Sequence, residues 1–563
     1  MEHLGGLKMK KRILAVLLAL IMMATFIASA GAEESERTGD VVILYTGDIH
    51  CGINQGFGYA GLQAVRDYLV SQGNDVILVD TGDNIQGEPV GTLTKGESPM
   101  ALMNAMKYDI AIPGNHDFDY GMDQFLALAG KANFPYISCN FNKEGDLVFD
   151  PYIIKEAGGT KIGFVGVCTP ETLTSSTPKY FQDEEGNFIY GFLQDETGET
   201  LYGAVQSAVD AVRAEGAEYV VILGHLGNSA ESSPYNYADV ISHISGIDAF
   251  LDGHSHDTDQ VTMKDKDGKD VVRSADGTKL ANIGWCRIAQ DGKVTAGLYT
   301  WTNQTAAPAL LGIDNEMGRA VNKELDKLSK ELDVVVAKST VYLTINDPEA
   351  TDSSGNPIRM VRRAETNLGD LYADAFRDQS GADVAIISGG GIRVGIPAGD
   401  ITFNDILRVS PFGNSMCIVE ATGQQILDAL EWGAHVVPAE NGGFLQVSGM
   451  SYEIHTYLEN PCTEDENRYF TGVSGERRVK NVLIGGNPID PEATYTVASI
   501  NYTILNHGDG YTMFDDAKIL QDLGKLDNQV LIDYITQTLG GVVGEEYEVQ
   551  TGQDRIVIFD AKP

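Results

Sequence analysis

Short apolar runs punctuate the chain from Val41 to about Thr302: VVILYT, DVILVD, YVVILG and IDAFLD. Longer stretches of helical character, such as the one holding Gly61 to Ser71, separate them, and this alternation predicts an α/β domain. Between Asn315 and Lys338 the apolar residues Val321, Leu325, Leu328 and Leu332 recur at helical spacing among Lys and Glu, which predicts an amphipathic helix. That helix lies between two compositionally distinct halves. The boundary is therefore placed on it: a first domain over 41–313, a linker helix over 314–338 and a second domain over 339–563. The alternative is an ordinary surface helix of the first domain. The second half mixes strands (ADVAIIS, ATYTVASI) with helices (ETNLGDLYADAFRDQ, GQQILDALEWGAH), without internal repeat or low-complexity tract.

At the N-terminus, Lys8, Lys10, Lys11 and Arg12 precede an apolar run from Ile13 to Ala28, followed by Ala28-Ser29-Ala30. Residues 1–30 read as a signal peptide and 31–40 as a polar lead, so the protein is expected to be exported, to a periplasm or to the medium. An uncleaved anchor is the alternative reading. No second apolar stretch of spanning length follows, so no membrane span is expected after cleavage.

Charge narrows the partners. The 40 basic and 80 acidic residues give a net charge of −40, and no basic stripe occurs outside the first dozen residues. Nucleic acid is excluded as a partner on this ground. Phosphate groups would have to be handled by local cations or metal ions. The six cysteines are widely spaced with no C-x-x-C pair, which predicts mostly buried thiols rather than a zinc ribbon. The sequence leaves the oligomeric state open.

Position carries the chemistry. Five polar clusters each follow an apolar run: Gly47-Asp48-Ile49-His50, Thr81-Gly82-Asp83-Asn84, Pro113-Gly114-Asn115-His116-Asp117-Phe118-Asp119, Gly224-His225 and Gly253-His254-Ser255-His256. They are expected to meet at one edge of a sheet, at the carboxyl ends of its strands, where ligands bind in open α/β folds. Asp48, His50, Asp83, Asn115, His225, His254 and His256 form a mixed N/O donor set suited to two divalent ions. The D-x-H and H-x-H spacings are expected to put both side chains on one side of an extended segment. Five of the ten histidines fall in these clusters; His243, His435, His455 and His507 read as core or surface residues. Cys51, beside His50, reads as packing.

In this order, GDIH, GDNIQG, GNHDFD, GH and GHSH resemble the calcineurin-like metallophosphoesterase signature. Thr366-Asn367-Leu368-Gly369, Gly389-Gly390-Gly391-Ile392-Arg393, Pro411-Phe412-Gly413-Asn414 and Gly508-Asp509-Gly510-Tyr511 resemble the nucleotide-binding domain of the 5'-nucleotidase family. The resemblance covers nearly the whole chain beyond the signal segment. It implies an N-terminal four-layer α/β/β/α sandwich followed by a C-terminal α+β substrate-binding domain.

Residue by residue, the resemblance implies one ion held by Asp48, His50 and His256 and another by Asn115, His225 and His254, with Asp83 between them. The ions, zinc, manganese or cobalt, would clamp a phosphate and ionise water, so no serine or cysteine nucleophile is required. His116 would be the catalytic acid or charge stabiliser, oriented by Asp119. Phe412 and Tyr502 would sandwich the base, although the stretch from Tyr502 to Asp509 is one residue longer than the family pattern. Arg362 and Arg393 would hold the phosphate or ribose side, with Arg359 a further arginine at a different spacing. Asp509 would accept from ribose hydroxyls, and Gly390, Gly391 and Asn414 would approach the nucleotide. Ser388 stands where relatives often carry asparagine, and Asp117 replaces a glutamate while keeping its charge. The implied activity is phosphate release from nucleoside 5'-monophosphates, with UDP-sugar hydrolysis as a possible extension. The alternative is a 2',3'-cyclic nucleotide 2'-phosphodiesterase with 3'-nucleotidase activity, which shares the metal motifs. A decayed, non-catalytic nucleotide binder is disfavoured because every ligand and the His116/Asp119 pair are present.

Overall fold

The computed structural model describes residues 39–562, apart from 231, 304, 352–356 and 522–524. The expected signal peptide over residues 1–30 lies outside the described residues.

Val41–Thr46 is the central strand of the first sheet. It runs parallel to Asp75–Asp80 and antiparallel to Ile283–Ile288, with Ile110–Ala111 and Val294–Tyr299 at the edges. Val41 faces Asp75 and Thr46 faces Asp80, so the two strands end level and release Gly47 and Thr81 side by side. The second sheet runs from Gln260–Lys264 through Asp270–Ala275, Ala249–Asp252, Tyr219–His225 and Thr160–Cys168 to Tyr152–Ala157. Asp252, the last residue of its strand, faces Gly224, so the neighbouring strand runs one residue further, to His225.

The apolar runs are continuous because the central strands are covered on both faces. Val41, Ile43 and Tyr45 pack between the sheets against Phe164, Val221 and Leu223. Val42 and Leu44 point the other way, into a core with Leu62 and Val65 of the helix Gly58–Ser71. Val220 and Ile222 meet Val205, Val209 and Val212 of the helix Glu199–Ala214. The order of layers is therefore helix, sheet, sheet, helix.

The amphipathic segment forms the helix Glu316–Leu332, whose first turn is capped by Asn315 Oδ1 accepting from Gly318 N at 3.0 Å. It is docked on the first domain: Asn315 Nδ2 donates to Ala60 O at 2.7 Å, and Ser98 Oγ donates to Glu324 Oε2 at 3.1 Å. Val321 is buried there and Leu325 and Leu328 pack against the same core. The helix thus packs on the first domain and also touches the helix Phe403–Val409 of the second. Helical spacing stops at Leu332, and β-branched Val335 and Val336 begin the strand Val335–Ser339. That strand pairs with Gly399–Thr402 and Val542–Val543, so the second domain's pairing begins inside the span 314–338 assigned to the linker.

The second domain is built on a five-stranded sheet, Leu445–Ser448, Val384–Ser388, Thr494–Ile500, Met416–Thr422 and Lys518–Gln521 in spatial order. The helix Asn367–Ser380 buries Leu368, Leu371 and Phe376 on one face, and the helix Gly423–Gly433 buries Ile426 and Leu430 on the other. Pairing is mixed: Val384–Ser388 is parallel to Thr494–Ile500 but antiparallel to Leu445–Ser448.

Candidate active site

The five polar clusters converge, but from two sheets instead of one edge. Asp48, Asp83 and Asn115 follow strands of the first sheet, whereas His225, His254 and His256 come from the second. The donors therefore gather where the carboxyl ends of two stacked sheets meet. His225 is itself the last residue of its strand.

The loops are not extended. Asp48, His50, Asp83, His254 and His256 all have φ between 44° and 81°. The D-x-H and H-x-H pairs converge because the backbone coils through left-handed turns, a strained arrangement common where function over-determines geometry. Cys51 shares this conformation and packs in the core, with Sγ 3.4 Å from Asn84 O. Two glycines make room for the turns. Gly82 has φ of 96°, and a Cβ there would stand 2.9 Å from His225 Nδ1. A Cβ on Gly114 would collide with the Asp83 carboxylate.

Asp83 Oδ2 lies between two imidazoles, 3.3 Å from His225 Nε2 and 3.6 Å from His50 Nε2. His50 Nε2 is 3.1 Å from His256 Nε2, which is 3.6 Å from Asp48 Oδ1. Asn115 Oδ1 stands 3.1 Å from His225 Nε2 and 2.9 Å from His254 Nδ1. The donor atoms of Asp48, His50 and His256 lie within 4.8 Å of one another, and so do those of Asp48, Asp83 and His225.

The outward nitrogen of three rings is already engaged. His225 Nδ1 faces Thr81 O at 2.7 Å, His50 Nδ1 faces Gln86 O at 3.2 Å, and His254 Nε2 faces Glu171 Oε2 at 3.0 Å. Each ring is thereby fixed with its other nitrogen turned into the cluster, the arrangement that orients metal-binding histidines. Electrostatics agree. Burial pushes the Asp48 carboxyl well up. At His225 burial acts downward, but the Asp83 and Asp48 carboxylates outweigh it and push the imidazole up to about 10. Burial holds His50 and His256 well below the usual imidazole range, in the neutral form that binds a cation, beside the Asp48 and Asp83 carboxylates.

His116 Nδ1 is 2.7 Å from Asp119 Oδ2, and Asp119 Oδ1 accepts from Ser176 Oγ at 2.8 Å. The imidazole is thus oriented by a carboxylate that is itself tethered. Asp117 does more than conserve a charge. Buried beneath the cluster, it accepts from Gly114 N at 2.8 Å, Asp83 N at 3.1 Å, Asn84 N at 3.2 Å and Ile85 N at 3.3 Å. It ties the Asp83 loop to the Asn115 loop.

Two further supports escape a reading of motifs. Glu171, which holds His254, follows the strand Thr160–Cys168 just as the five clusters follow theirs, so the same positional rule identifies it. Arg273 is fully buried. It donates through Nη2 to Asp252 Oδ2 at 2.7 Å and to Asp257 Oδ1 at 3.0 Å, clamping both ends of the segment that carries His254 and His256.

The second domain closes over this cluster. Arg362, Ser388, Gly390, Gly391, Arg393, Phe412, Asn414, Tyr502 and Asp509 all line one cavity of about 540 Å³, together with Asp83, Asn115, His116, Asp119, His254 and His256. The Phe412 ring centroid is 5.6 Å from that of His116, and the Arg393 guanidinium carbon is 5.6 Å from the Phe412 centroid. Tyr502 Oη donates to Thr174 O of the first domain at 2.8 Å and accepts from Asp509 N at 3.1 Å. Burial pushes Asp509 up to about 6, against the pull of Arg362. The cavity continues to Trp432 and His435, stacked with centroids 4.2 Å apart, so His435 belongs to its wall. Further contacts join the domains: Arg468 Nη1 to Glu171 Oε1 at 3.2 Å and Thr92 Oγ1 to Pro411 O at 2.8 Å.

Known proteins share both halves. Residues 41–258 match the calcineurin-like phosphoesterase family model, and residues 335–516 match that of the 5'-nucleotidase C-terminal domain. The chain is 26% identical over 557 residues to protein UshA of Escherichia coli, covering 92% of this chain and 96% of that one. It is 27% identical over 556 residues to the trifunctional nucleotide phosphoesterase protein YfkN of Bacillus subtilis, covering 90% of this chain but 34% of that one. The chain thus spans about a third of that relative's length. The crystal structure of a 5'-nucleotidase precursor from Thermus thermophilus superposes with a TM-score of 0.74 at 25% identity, covering 93% of this chain and 100% of that chain. With a buried N/O donor cluster in one domain and a matching substrate domain above it, the chain belongs to the 5'-nucleotidase family of calcineurin-like phosphoesterases and is a metal-dependent phosphoric ester hydrolase.

Proposed function

We propose that the chain releases phosphate from nucleoside 5'-monophosphates and also opens the pyrophosphate of UDP-sugars. The observation that carries this reading is the single cavity in which Phe412 stands beside His116, joining a base-stacking ring to the hydrolytic cluster. Homology to UshA and to the Thermus thermophilus 5'-nucleotidase precursor supports it.

Asp48, His50 and His256 would hold one divalent ion and Asn115, His225 and His254 the other, with Asp83 between. Bound there, the two ions supply Lewis acidity toward the phosphoryl oxygens and ionise water near neutral pH. The protein's own groups do the rest. His116, with Nδ1 held by Asp119, presents Nε2 to the scissile phosphate and its leaving oxygen. Arg393 and Arg362 bring positive charge to the phosphate and ribose, offsetting the −40 field of the chain. Phe412 and Tyr502 hold the base through its π face, and Asp509 accepts from the ribose hydroxyls. The extension of the cavity past Asp509 to Trp432 and His435 leaves room for the sugar of a UDP-sugar. We further read the N-terminal basic cluster and apolar run as an export signal, which places the activity outside the cytoplasm. Among the described residues no helix is long and apolar enough to cross a membrane.

The test is a substrate profile of the metal-loaded protein with AMP, 3'-AMP, 2',3'-cyclic AMP and UDP-glucose, run beside Phe412→Ala. A preference for AMP that is weakened in Phe412→Ala supports the reading. A preference for the cyclic or 3' substrates overturns the assignment of the second domain while leaving the hydrolytic cluster in place.

A further inference from the structure

A second cavity of about 190 Å³ borders the cluster, with His50 and His256 in its wall. It meets the larger cavity along His256, Arg359, Arg362 and Arg393. Its lining is strongly basic for a chain of charge −40: Lys279, Arg359, Arg362, Arg393 and Arg408 surround it, with Glu88 the one carboxylate among its lining residues. Arg359, Arg408 and Lys279 of this lining are 38%, 30% and 29% exposed, so the basic surface is in reach of solvent.

The charges are unevenly matched. Glu88 joins the domains, with Oε1 2.6 Å from Lys279 Nζ of the first domain and Oε2 2.9 Å from Arg408 Nε of the second. Arg359 pairs with Glu440 at 2.6 Å. Among the described residues the guanidinium of Arg362 makes no hydrogen bond or ion pair, and that of Arg393 meets no carboxylate, only Gly390 O at 3.5 Å and the Phe412 ring. Burial and the neighbouring Arg359 and Arg393 hold Arg362 well below the usual guanidinium range. Arg393 is likewise lowered, to about 10, by burial and by Arg359. Such crowded cations are relieved by an anion placed among them.

We propose that this second cavity is an oxyanion site through which the inorganic phosphate freed at the cluster leaves, while the nucleoside still fills the larger cavity. The inference rests on the nucleotidase reading. A phosphate cut from a nucleotide is enclosed between the cluster and the nucleoside on the side of Phe412, whereas His50 and His256 border the basic second cavity. The passage is roomy, since a liquid water occupies roughly 30 Å³. Along it, the five cations counter the repulsion that the chain's net charge imposes on a departing anion. Glu88 tempers two of them, so the site conducts phosphate without trapping it.

Product inhibition of AMP turnover by phosphate and by adenosine tests the order of release. Phosphate leaving first makes adenosine competitive with AMP and phosphate noncompetitive. Lys279→Gln is expected to weaken inhibition by phosphate about tenfold, with KM for AMP little changed. Val394→Trp, which fills the cavity from its wall, is expected to lower kcat and turn phosphate competitive. Competitive phosphate with noncompetitive adenosine in the unaltered protein overturns the proposal, as does unchanged phosphate inhibition in Lys279→Gln. If the cavity instead received the distal phosphate of a longer nucleotide, Lys279→Gln would raise KM for ADP and leave inhibition by phosphate unchanged, which also overturns it. p-Nitrophenyl phosphate, which needs no base site, is run in parallel. Hydrolysis of that ester without AMP turnover refutes the nucleotidase reading alone, and the effect of Lys279→Gln on phosphate inhibition of that reaction still decides the passage.

Discussion

Glu171 Oε2 stands 3.0 Å from His254 Nε2, so a carboxylate outside the donor cluster fixes which nitrogen of His254 faces Asn115. The same carboxylate receives Arg468 from the second domain, at 3.2 Å through Oε1. Closure of the domains is thereby tied to the orientation of a ring in the donor cluster. Glu171→Gln, which preserves size but removes charge, should weaken divalent-ion affinity by about 10- to 100-fold. Calorimetric titration with manganese checks this; unchanged affinity would show that His254 is oriented without Glu171.

Asp117 accepts from four backbone amides of the two loops that carry Asp83 and Asn115. Asp117→Ala leaves those buried donors without their acceptor, and each such loss costs about 1–3 kcal/mol. Chemical unfolding of the metal-free variant should show a loss of about 3 kcal/mol or more. Asp117→Asn, which keeps one acceptor oxygen, should fall between the two.

On the proposed reading, His116 and Asp119 act on the reaction and not on the ions. His116→Asn should lower kcat for AMP by about 10²- to 10⁴-fold while the bound-metal content, read by elemental analysis, stays the same. Asp119→Asn should lose less, because the imidazole remains but is less firmly held. Loss of metal in His116→Asn would place the ring among the ligands instead.

Asp527 carries a pH dependence remote from the cluster. Burial pushes its carboxyl from the ordinary 3.8 up to about 7, against hydrogen bonds from Ser410 and Asn528. A raised carboxyl binds its proton more tightly in the folded state. Its contribution is therefore fully favourable below about pH 4, falls as pH rises through about 7, and stays lost above that. Asp527→Asn should flatten the decline in melting temperature between pH 5 and pH 8 relative to the unaltered protein. An identical slope in the two proteins would mean that Asp527 is ionised in the fold.

The convergence of Asp48, His50, Asp83, Asn115, His225, His254 and His256 was legible because each stands just past an apolar run, at strand ends where ligands bind in α/β folds. Their joint arrival from two sheets was not legible. Periodicity identifies Val41–Thr46 and Tyr219–His225 as strands but carries no information about which sheet each joins. The left-handed turns at Asp48 and His256 were hidden for a related reason: the cost of such a backbone is met by tertiary contacts, not by local propensity. Arg273 looked like any arginine on a strand, and only the fold buries it between Asp252 and Asp257. Helical spacing revealed the segment Glu316–Leu332, but its docking against Ala60 and Ser98 depends on contacts more than two hundred residues away in sequence.

Phosphate release from AMP by residues 31–563, with manganese or with chelator, measured for the unaltered protein and for Asp83→Ala, tests the dimetal hydrolase most directly. Release should require the metal and be lost in Asp83→Ala. Release that survives chelation, or that Asp83→Ala retains in full, would contradict a reaction run at this cluster.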